Sequence, residues 1–311
     1  MTNALVFPGQ GSQAVGMGRE LAAAFDEARH TFQEVDDALN QPLSRLMFEG
    51  PENELTLTEN AQPALMAVSL AVTRVLERQG GVKVAADFSH VAGHSLGEYS
   101  ALCAAGTFTL ADAARLLKRR GQAMQQAVPV GQGAMAALLG AELEQAAAIA
   151  AEASQGEVCA VANDNGGGQV VISGHAAAVE RAWAIAAGQG LKRAVRLPVS
   201  APFHCPLMQP AADAMADALA AVDLKAPCVP VVANVTAAPA TDPDAIRKLL
   251  VEQVTGMVRW RESVLAMKGL GVTKLVEVGA GKVLAGLTYR IDTEFAAGSL
   301  GLPDDSDAVL S

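Results

Sequence analysis

The stretch His90-Val91-Ala92-Gly93-His94-Ser95-Leu96-Gly97-Glu98-Tyr99 decides how the rest of the chain is read. Its first four residues are a brief apolar run, which predicts a strand, and residues 99–105 are apolar enough for a buried helix. Between them lies Gly93-His94-Ser95-Leu96-Gly97, a Gly-x-Ser-x-Gly turn. At a strand-to-helix junction this pattern is the nucleophile elbow of α/β-hydrolase-type enzymes; small residues flank the serine because backbone and neighbouring elements crowd there. The turn lifts the Ser95 hydroxyl to the start of the helix, where the Leu96 amide and the helix dipole favour a developing oxyanion. A tight structural turn with an incidental serine is the plainer alternative, and the junction context counts against it. Ser95 is the expected nucleophile of a soluble α/β enzyme.

A serine at its free pKa needs a base. Of the five histidines, His94 adjoins Ser95, and consecutive side chains at such a turn point apart. His30 on a polar helix face and His175 at a helix start are expected to be solvated, and His90 to be structural. His204 stands in Pro198-Val199-Ser200-Ala201-Pro202-Phe203-His204-Cys205-Pro206, an irregular proline-held loop of the kind that carries site residues. It is the expected base. Cys205 is a rival nucleophile only by adjacency. Asp112 and Asp164 lie between serine and histidine, where a triad acid is usual, but neither has a convincing setting. The residues support a dyad and leave the orienting group open.

Outward from the elbow, Leu5-Val6-Phe7 reads as a strand ended by Pro8-Gly9, 18–39 as a helix, and 61–79 as a helix stopped at Gly80-Gly81. Residues 111–127 read as a helix with a basic stripe of Arg115, Lys118, Arg119 and Arg120. From about Pro129 the texture changes. Strands at 134–139, 158–162, 169–173 and 194–198, with helices at 143–153 and 175–188, follow the order β-α-β-β-α-β of a ferredoxin-like unit. The expected architecture is an α/β-hydrolase-like parallel-sheet body formed by 1–128 and 198–311, with a ferredoxin-like insertion at 129–197. Residues 230–235 and 274–279 return to the strand-then-loop grammar of a parallel sheet, and the Asp-rich tail from Gly298 is expected to be loose. Gly9-Gln10-Gly11-Ser12-Gln13-Ala14 matches a dinucleotide-binding fingerprint only weakly, because no acidic strand end follows. Gly279-Ala280-Gly281-Lys282 fails the phosphate-loop pattern. Both are expected to be loops that let backbone approach the site.

Bulk properties exclude several classes. The chain has 311 residues, 51% hydrophobic and 18% charged, enough for a large core. It has no run of apolar residues long enough to span a membrane and no basic leader before Leu5. A net charge of −10 argues against nucleic-acid or anionic-membrane partners. The four separated cysteines read as free thiols of a reducing cytoplasm, with no metal site.

Taken together, these residues resemble malonyl-CoA:acyl carrier protein transacylases. Phe7-Pro8-Gly9-Gln10-Gly11-Ser12-Gln13 looks like the family's opening motif and Gly93-His94-Ser95-Leu96-Gly97-Glu98-Tyr99 like its nucleophile motif. Arg119-Arg120-Gly121, residues 163–174, Phe203-His204, Glu252-Gln253-Val254 and Val276-Glu277-Val278-Gly279 follow in family order over nearly the whole chain. The resemblance implies that Ser95 carries the malonyl group and His204 is its base, oriented by the main-chain carbonyl of Gln253. It implies an oxyanion hole from the amides of Gln10 and Leu96, and pairing of Arg120 with the free malonyl carboxylate. Without it, Arg120 would read as another solvated basic residue. Gln62 and Asn163 are further candidates, expected to position loops. Malonyl-CoA and acyl carrier protein are the implied partners; coenzyme A and phosphopantetheine thioesters enter as substrates, with no metal or redox cofactor. An acidic carrier would need a local basic patch, for which Lys192, Arg193 and Lys282 are candidates. The same chemistry in a polyketide or malonate decarboxylase system is the nearest alternative. A serine esterase or thioesterase is another, though it has no need of an arginine facing the acyl group.

Overall fold

The short apolar runs separated by helical periods become strands of two sheets. The computed structural model describes residues 2–191, 193–199 and 201–305; Lys192 and Ser200 lie outside them. The strands are β1 (Asn3–Phe7), β2 (Phe88–Gly93), β3 (Gly133–Leu139), β4 (Cys159–Asp164), β5 (Gln169–His175), β6 (Arg193–Arg196), β7 (Val231–Val232), β8 (Pro239–Ala240), β9 (Lys274–Val278) and β10 (Ala296–Leu300). One sheet has the order β10-β9-β1-β2-β7-β8, parallel except at the β7–β8 pair. The other has the order β4-β5-β3-β6 and is antiparallel throughout. The fold is thus mixed α/β, with a mainly parallel sheet and a separate antiparallel one.

Both faces of the parallel sheet are covered, which is why β1 is apolar at every position from Ala4 to Phe7. Leu5, Phe7 and Val91 face the larger core with the helix Thr58–Gln79, while Ala4, Val6 and Ala92 face Trp260, Leu284 and Leu287. The antiparallel sheet is also buried twice. Ala134, Ala136 and Leu138 of β3 pack on the helices Leu143–Ser154 and Ala176–Gly188, whereas Met135 and Ala137 turn to the larger core. Period-two alternation therefore separates two apolar faces.

Several expectations are corrected. The helix read at 18–39 is two helices, Arg19–Ala24 and Asp26–Leu39, parted where Phe25 is extended (φ −131°, ψ 128°). The helix expected from Ala61 begins at Thr58 and runs through Pro63. Of 230–235 only Val231–Val232 is strand, because the chain turns at 234–236 and returns as β8, the Ala237 amide donating to the Ala233 carbonyl and the Ala233 amide to that of Ala238. The tail expected to be loose from Gly298 begins inside β10, which pairs in parallel with β9 from Ala296 to Leu300; residues 306–311 of it lie outside the described residues. Among the described residues no helix is long and apolar enough to cross a membrane.

Candidate active site

The elbow forms where β2 ends and the helix Leu96–Ala104 begins, packed against the end of β1. A Cβ on Gly93 would lie 1.9 Å from the Gly97 carbonyl oxygen, and one on Gly97 would lie 2.2 Å from that of Phe7. Neither position can hold a larger residue, which is the physical content of the Gly-x-Ser-x-Gly spacing. Ser95 itself has φ 53° and ψ −112°, a conformation non-glycine residues adopt only when their surroundings impose it. Two side chains impose it here. The Ser95 amide donates to Asn234 Oδ1 at 2.7 Å, and the Ser95 carbonyl accepts from Gln253 Nε2 at 3.0 Å. Asn234 Nδ2 in turn donates to the Gly93 carbonyl at 2.7 Å, closing a clamp around the turn.

Ser95 Oγ lies 2.8 Å from His204 Nε2. His204 Nδ1 lies 2.9 Å from the Gln253 carbonyl oxygen. That oxygen can only accept, so Nδ1 carries the hydrogen and Nε2 presents its lone pair to the serine. Burial, and then the positive charge of Arg120, push the His204 pKa down to about 3, so the ring is neutral at ordinary pH. Its own φ of 57° shows that the loop is held in an uncommon conformation. Asp112 is occupied with Thr109 at a helix start and Asp164 with Arg261. The carbonyl of Gln253 therefore stands where a triad acid would.

Arg120 is 1% exposed, whereas Arg119, one helical step round, is exposed. Helix Leu110–Ala127 approaches Thr58–Gln79 so closely at Gly121 that a Cβ there would lie 2.4 Å from Glu59 Cα, and this contact carries its neighbour Arg120 inward. The guanidinium donates from one nitrogen to Gln62 Oε1 at 2.8 Å, and from the other to Gln253 Oε1 at 2.8 Å and Ser95 Oγ at 3.2 Å. Its Cζ lies 5.7 Å from the centre of the Tyr99 ring, and among the described residues its Nε has no hydrogen-bond partner. Burial lowers its pKa. Among the described residues no carboxylate forms an ion pair with the guanidinium, although Glu98 lies near enough to act on it through space. A buried cation left in that state is a ready seat for an anionic group.

Gln10, Gln62, Ser95, Leu96, Arg120, Asn163 and His204 all border one cavity of about 450 Å³, and Gln253 is wholly buried behind it. Leu96 opens its helix, so its amide has no carbonyl one turn earlier to meet. Gln10 is held through Oε1 by Thr58, whose hydroxyl also accepts from Gln62 Nε2. The loop 9–13 reaches this cavity, but Gly279–Lys282 borders a separate one of about 380 Å³ with Ser12 and Gly18, correcting the expectation that both glycine loops approach the site. Cys205 is buried, its Sγ donates to the Pro202 carbonyl, and it does not border the Ser95 cavity. His94 bonds Asn165, and His175, expected to be solvated, accepts from the Val158 amide at 2.9 Å. Among the described residues no cluster of three or more His, Cys, Asp or Glu is placed to hold a metal ion.

Three groups escaped the sequence reading: Asn234, Glu98 and the Gln253 side chain. Glu98 accepts from Gln253 Nε2 at 2.7 Å and the Asn234 amide at 3.2 Å, and burial pushes its pKa up to about 7. A carboxylate inside the apolar run Leu96–Ala104 was the available signal, since such residues are rarely buried without a partner.

A family model described as the acyl transferase domain matches residues 4–287. The malonyl CoA-acyl carrier protein transacylase of Escherichia coli K12 is 49% identical over 307 residues, covering 99% of this chain and 98% of the relative. An acyl-carrier-protein S-malonyltransferase from Bartonella henselae superposes with a TM-score of 0.97 at 56% identity, over 100% of this chain and 98% of the other. A malonyl-transacylase solved in complex with the acyl-carrier protein of a type II PKS gives 0.96 at 44% identity, over 100% and 99%. The chain belongs to the acyl transferase domain family and, within it, to the malonyl CoA-acyl carrier protein transacylases.

Proposed function

We propose that the protein transfers the malonyl group of malonyl-CoA to the phosphopantetheine thiol of an acyl carrier protein, through a malonyl ester on Ser95. The observation that carries this is a serine–histidine pair 2.8 Å apart with a buried guanidinium, in no ion pair among the described residues, 3.2 Å from the same hydroxyl.

In the first half-reaction Ser95 Oγ attacks the thioester carbonyl carbon and its proton passes to His204 Nε2. The amides of Gln10 and Leu96 take the charge that develops on the carbonyl oxygen. The C–S bond breaks, and coenzyme A leaves with the proton from His204. In the second, the carrier thiol gives its proton to His204 and attacks the ester carbonyl, and Ser95 Oγ leaves with that proton. Arg120 pairs with the malonyl carboxylate in both. That pairing also offsets the charge that depresses His204, so the base strengthens when the correct acyl group is seated. Gln62 holds one guanidinium nitrogen, and Asn163 borders the acyl cavity from β4. An esterase or thioesterase would have no use for Arg120 at this depth.

The element order β3, Leu143–Ser154, β4, β5, Ala176–Gly188, β6 supports reading 129–197 as a ferredoxin-like insertion. The elbow supports reading 1–128 and 198–311 as an α/β-hydrolase-like body. A cytoplasmic location fits these substrates. Arg193 and Lys282 are exposed and remain candidates for carrier contact. The similarity to a transacylase bound to a type II PKS carrier supports a polyketide carrier as a second partner reading.

The test is intact-protein mass spectrometry after incubation with malonyl-CoA and acetyl-CoA in parallel, followed by holo-carrier protein. A malonyl adduct on the Ser95 peptide, discharged by the carrier thiol, is expected. An adduct on Cys103 or Cys205, or one lost to water as fast as to the carrier, would sink the reading.

A further inference from the structure

We propose that Glu98 is a positioning residue for the acyl-carboxylate seat, holding the Gln253 side-chain amide in the orientation that turns its oxygen to Arg120. The proposal rests on the reading of Arg120 as the group that pairs with the acyl carboxylate.

An amide has a donating and an accepting end, and at Gln253 each end faces groups that suit it. Nε2 lies 2.7 Å from Glu98 Oε2 and 3.0 Å from the Ser95 carbonyl oxygen, both acceptors. Oε1 lies 2.8 Å from an Arg120 nitrogen, which can only donate. A flipped amide would set oxygen against oxygen at one end and hydrogen against hydrogen at the other. With Glu98 present and ionised, the two orientations differ at this end by a charge-assisted hydrogen bond; without it Nε2 keeps only the neutral Ser95 carbonyl at 3.0 Å and Asn234 Oδ1 at 3.4 Å, and the preference set by Arg120 at the other end loses its strongest support. Glu98 does not border the acyl cavity, so it meets no substrate atom itself. It sits 1% exposed on the otherwise uncharged helix Leu96–Ala104, where a carboxylate is costly without a task. Its other contact, the Asn234 amide, reaches the same oxygen that Gln253 uses. One correctly placed acceptor oxygen therefore serves both neighbours.

The consequence is selective. Arg120 keeps Gln62 on one nitrogen, and Gln253 fixes the other. Loosening Gln253 frees the guanidinium to swing, which weakens the seat for a charged acyl group. An acetyl group makes no use of that seat. A role limited to filling space in the helix would affect both acyl groups alike.

The experiment measures kcat/KM for malonyl-CoA and acetyl-CoA, with holo-carrier protein as acceptor, in the wild type, Glu98→Met and Glu98→Gln. Glu98→Met fills the volume without an acceptor, and the malonyl-to-acetyl ratio should fall at least about tenfold, the range for losing a charge-assisted hydrogen bond. Glu98→Gln keeps an acceptor oxygen in place and should restore the ratio to within about threefold of wild type. Should Glu98→Met not fold, Gln253→Met decides. Its main-chain carbonyl still meets His204, and the same fall in ratio is expected. Equal losses for both acyl groups, or a glutamine variant no better than methionine, would overturn the proposal. A wild type without malonyl preference overturns the Arg120 reading and this proposal with it. A selective wild type whose Glu98→Met keeps the preference overturns this proposal alone.

Discussion

The two sheets bury their residues with different chemistry. Around the carboxyl ends of the parallel strands, the interior holds Glu98, Arg120, His204, Asn234 and Gln253, each buried and each bonded to at least one other. Ser95 and His204 there adopt positive φ. The antiparallel sheet packs its helices with alanine, valine and isoleucine, and its buried Asn163, Asp164 and Asn165 gather at the end of β4. At that end Asp164 bonds Arg261, Asn165 bonds His94, and Asn163 bridges to Val258. Among the described residues of this region, the one positive-φ residue other than glycine, Gln155, is an exposed helix cap. At the site buried charge and positive φ coincide, whereas the buried carboxylates elsewhere, Asp164 and Glu277, are tied to Arg261 and to the Leu284 and Ala285 amides, and the second sheet contributes a wall and stability. Substitutions in the two regions should therefore fail in different ways.

The largest effect belongs to the elbow. Ser95→Ala should abolish the malonyl adduct and all transfer, and His204→Ala should slow transfer by about 10²–10⁴, the span of general-base assistance. Both variants should melt near the wild-type temperature. An intact adduct in Ser95→Ala would break the assignment at its root.

Arg120 comes next. A guanidinium meets a carboxylate with two parallel hydrogen bonds that lysine cannot copy. At about 1.5–3 kcal/mol for hydrogen bonds to charged groups, Arg120→Ala should lose about 10- to 150-fold in malonyl kcat/KM, while acetyl transfer holds or rises. Arg120→Lys should recover only part of the loss, and the exposed Arg119→Ala should change little. Parallel losses with both acyl groups would mean that Arg120 supports the fold.

The second sheet is probed at Ile172, which is 0% exposed in its helix-facing core. Ile172→Ala should cost about 2–5 kcal/mol in unfolding free energy, the range for such truncations, measured by urea denaturation. Below the transition, kcat/KM for malonyl-CoA should stay within about threefold of wild type, because Ile172 faces away from the acyl cavity. A large catalytic loss in a fully folded sample would erase the distinction between the regions.

The smallest expected effect is an absence of titration. With its pKa near 3, His204 is proton-free from pH 5 to 8, and the base would be lost only as pH falls through that value. An imidazole at its ordinary value near 6.5 would instead lose about thirtyfold of its basic form at pH 5. The inactivation rate by phenylmethanesulfonyl fluoride, an uncharged reagent that needs no Arg120, should change less than about threefold over this range. An acid limb near 6.5 would show that the ring is less buried, or less affected by Arg120, than its setting indicates.

Much of this site could be named from the chain alone because its signals are local. Gly-x-Ser-x-Gly marks a backbone crossing too close for a Cβ, and a strand period giving way to a helical one on either side places it at a junction. His204 stood out by its proline-held loop, and the second sheet by its order of short periods. The rest depended on contacts between distant positions. By spacing alone Arg119 and Arg120 are equivalent, and only the family resemblance singled out Arg120; the approach of two helices at Gly121 is what makes it a buried cation and leaves Arg119 in water. Gln253, Asn234 and Glu98 lie far apart along the chain, and hydrogen-bond partners so separated leave no periodic trace. The same holds for β10, an Asp-flanked run of weak pattern that becomes a strand because β9 offers it an open edge. Local sterics and periodicity specified the elbow, the strands and the helices. The charge balance around Ser95 was decided only when the tertiary fold brought an arginine, an amide and a carboxylate into one buried line, since hydrogen bonds depend on distance in space and not on order in the chain.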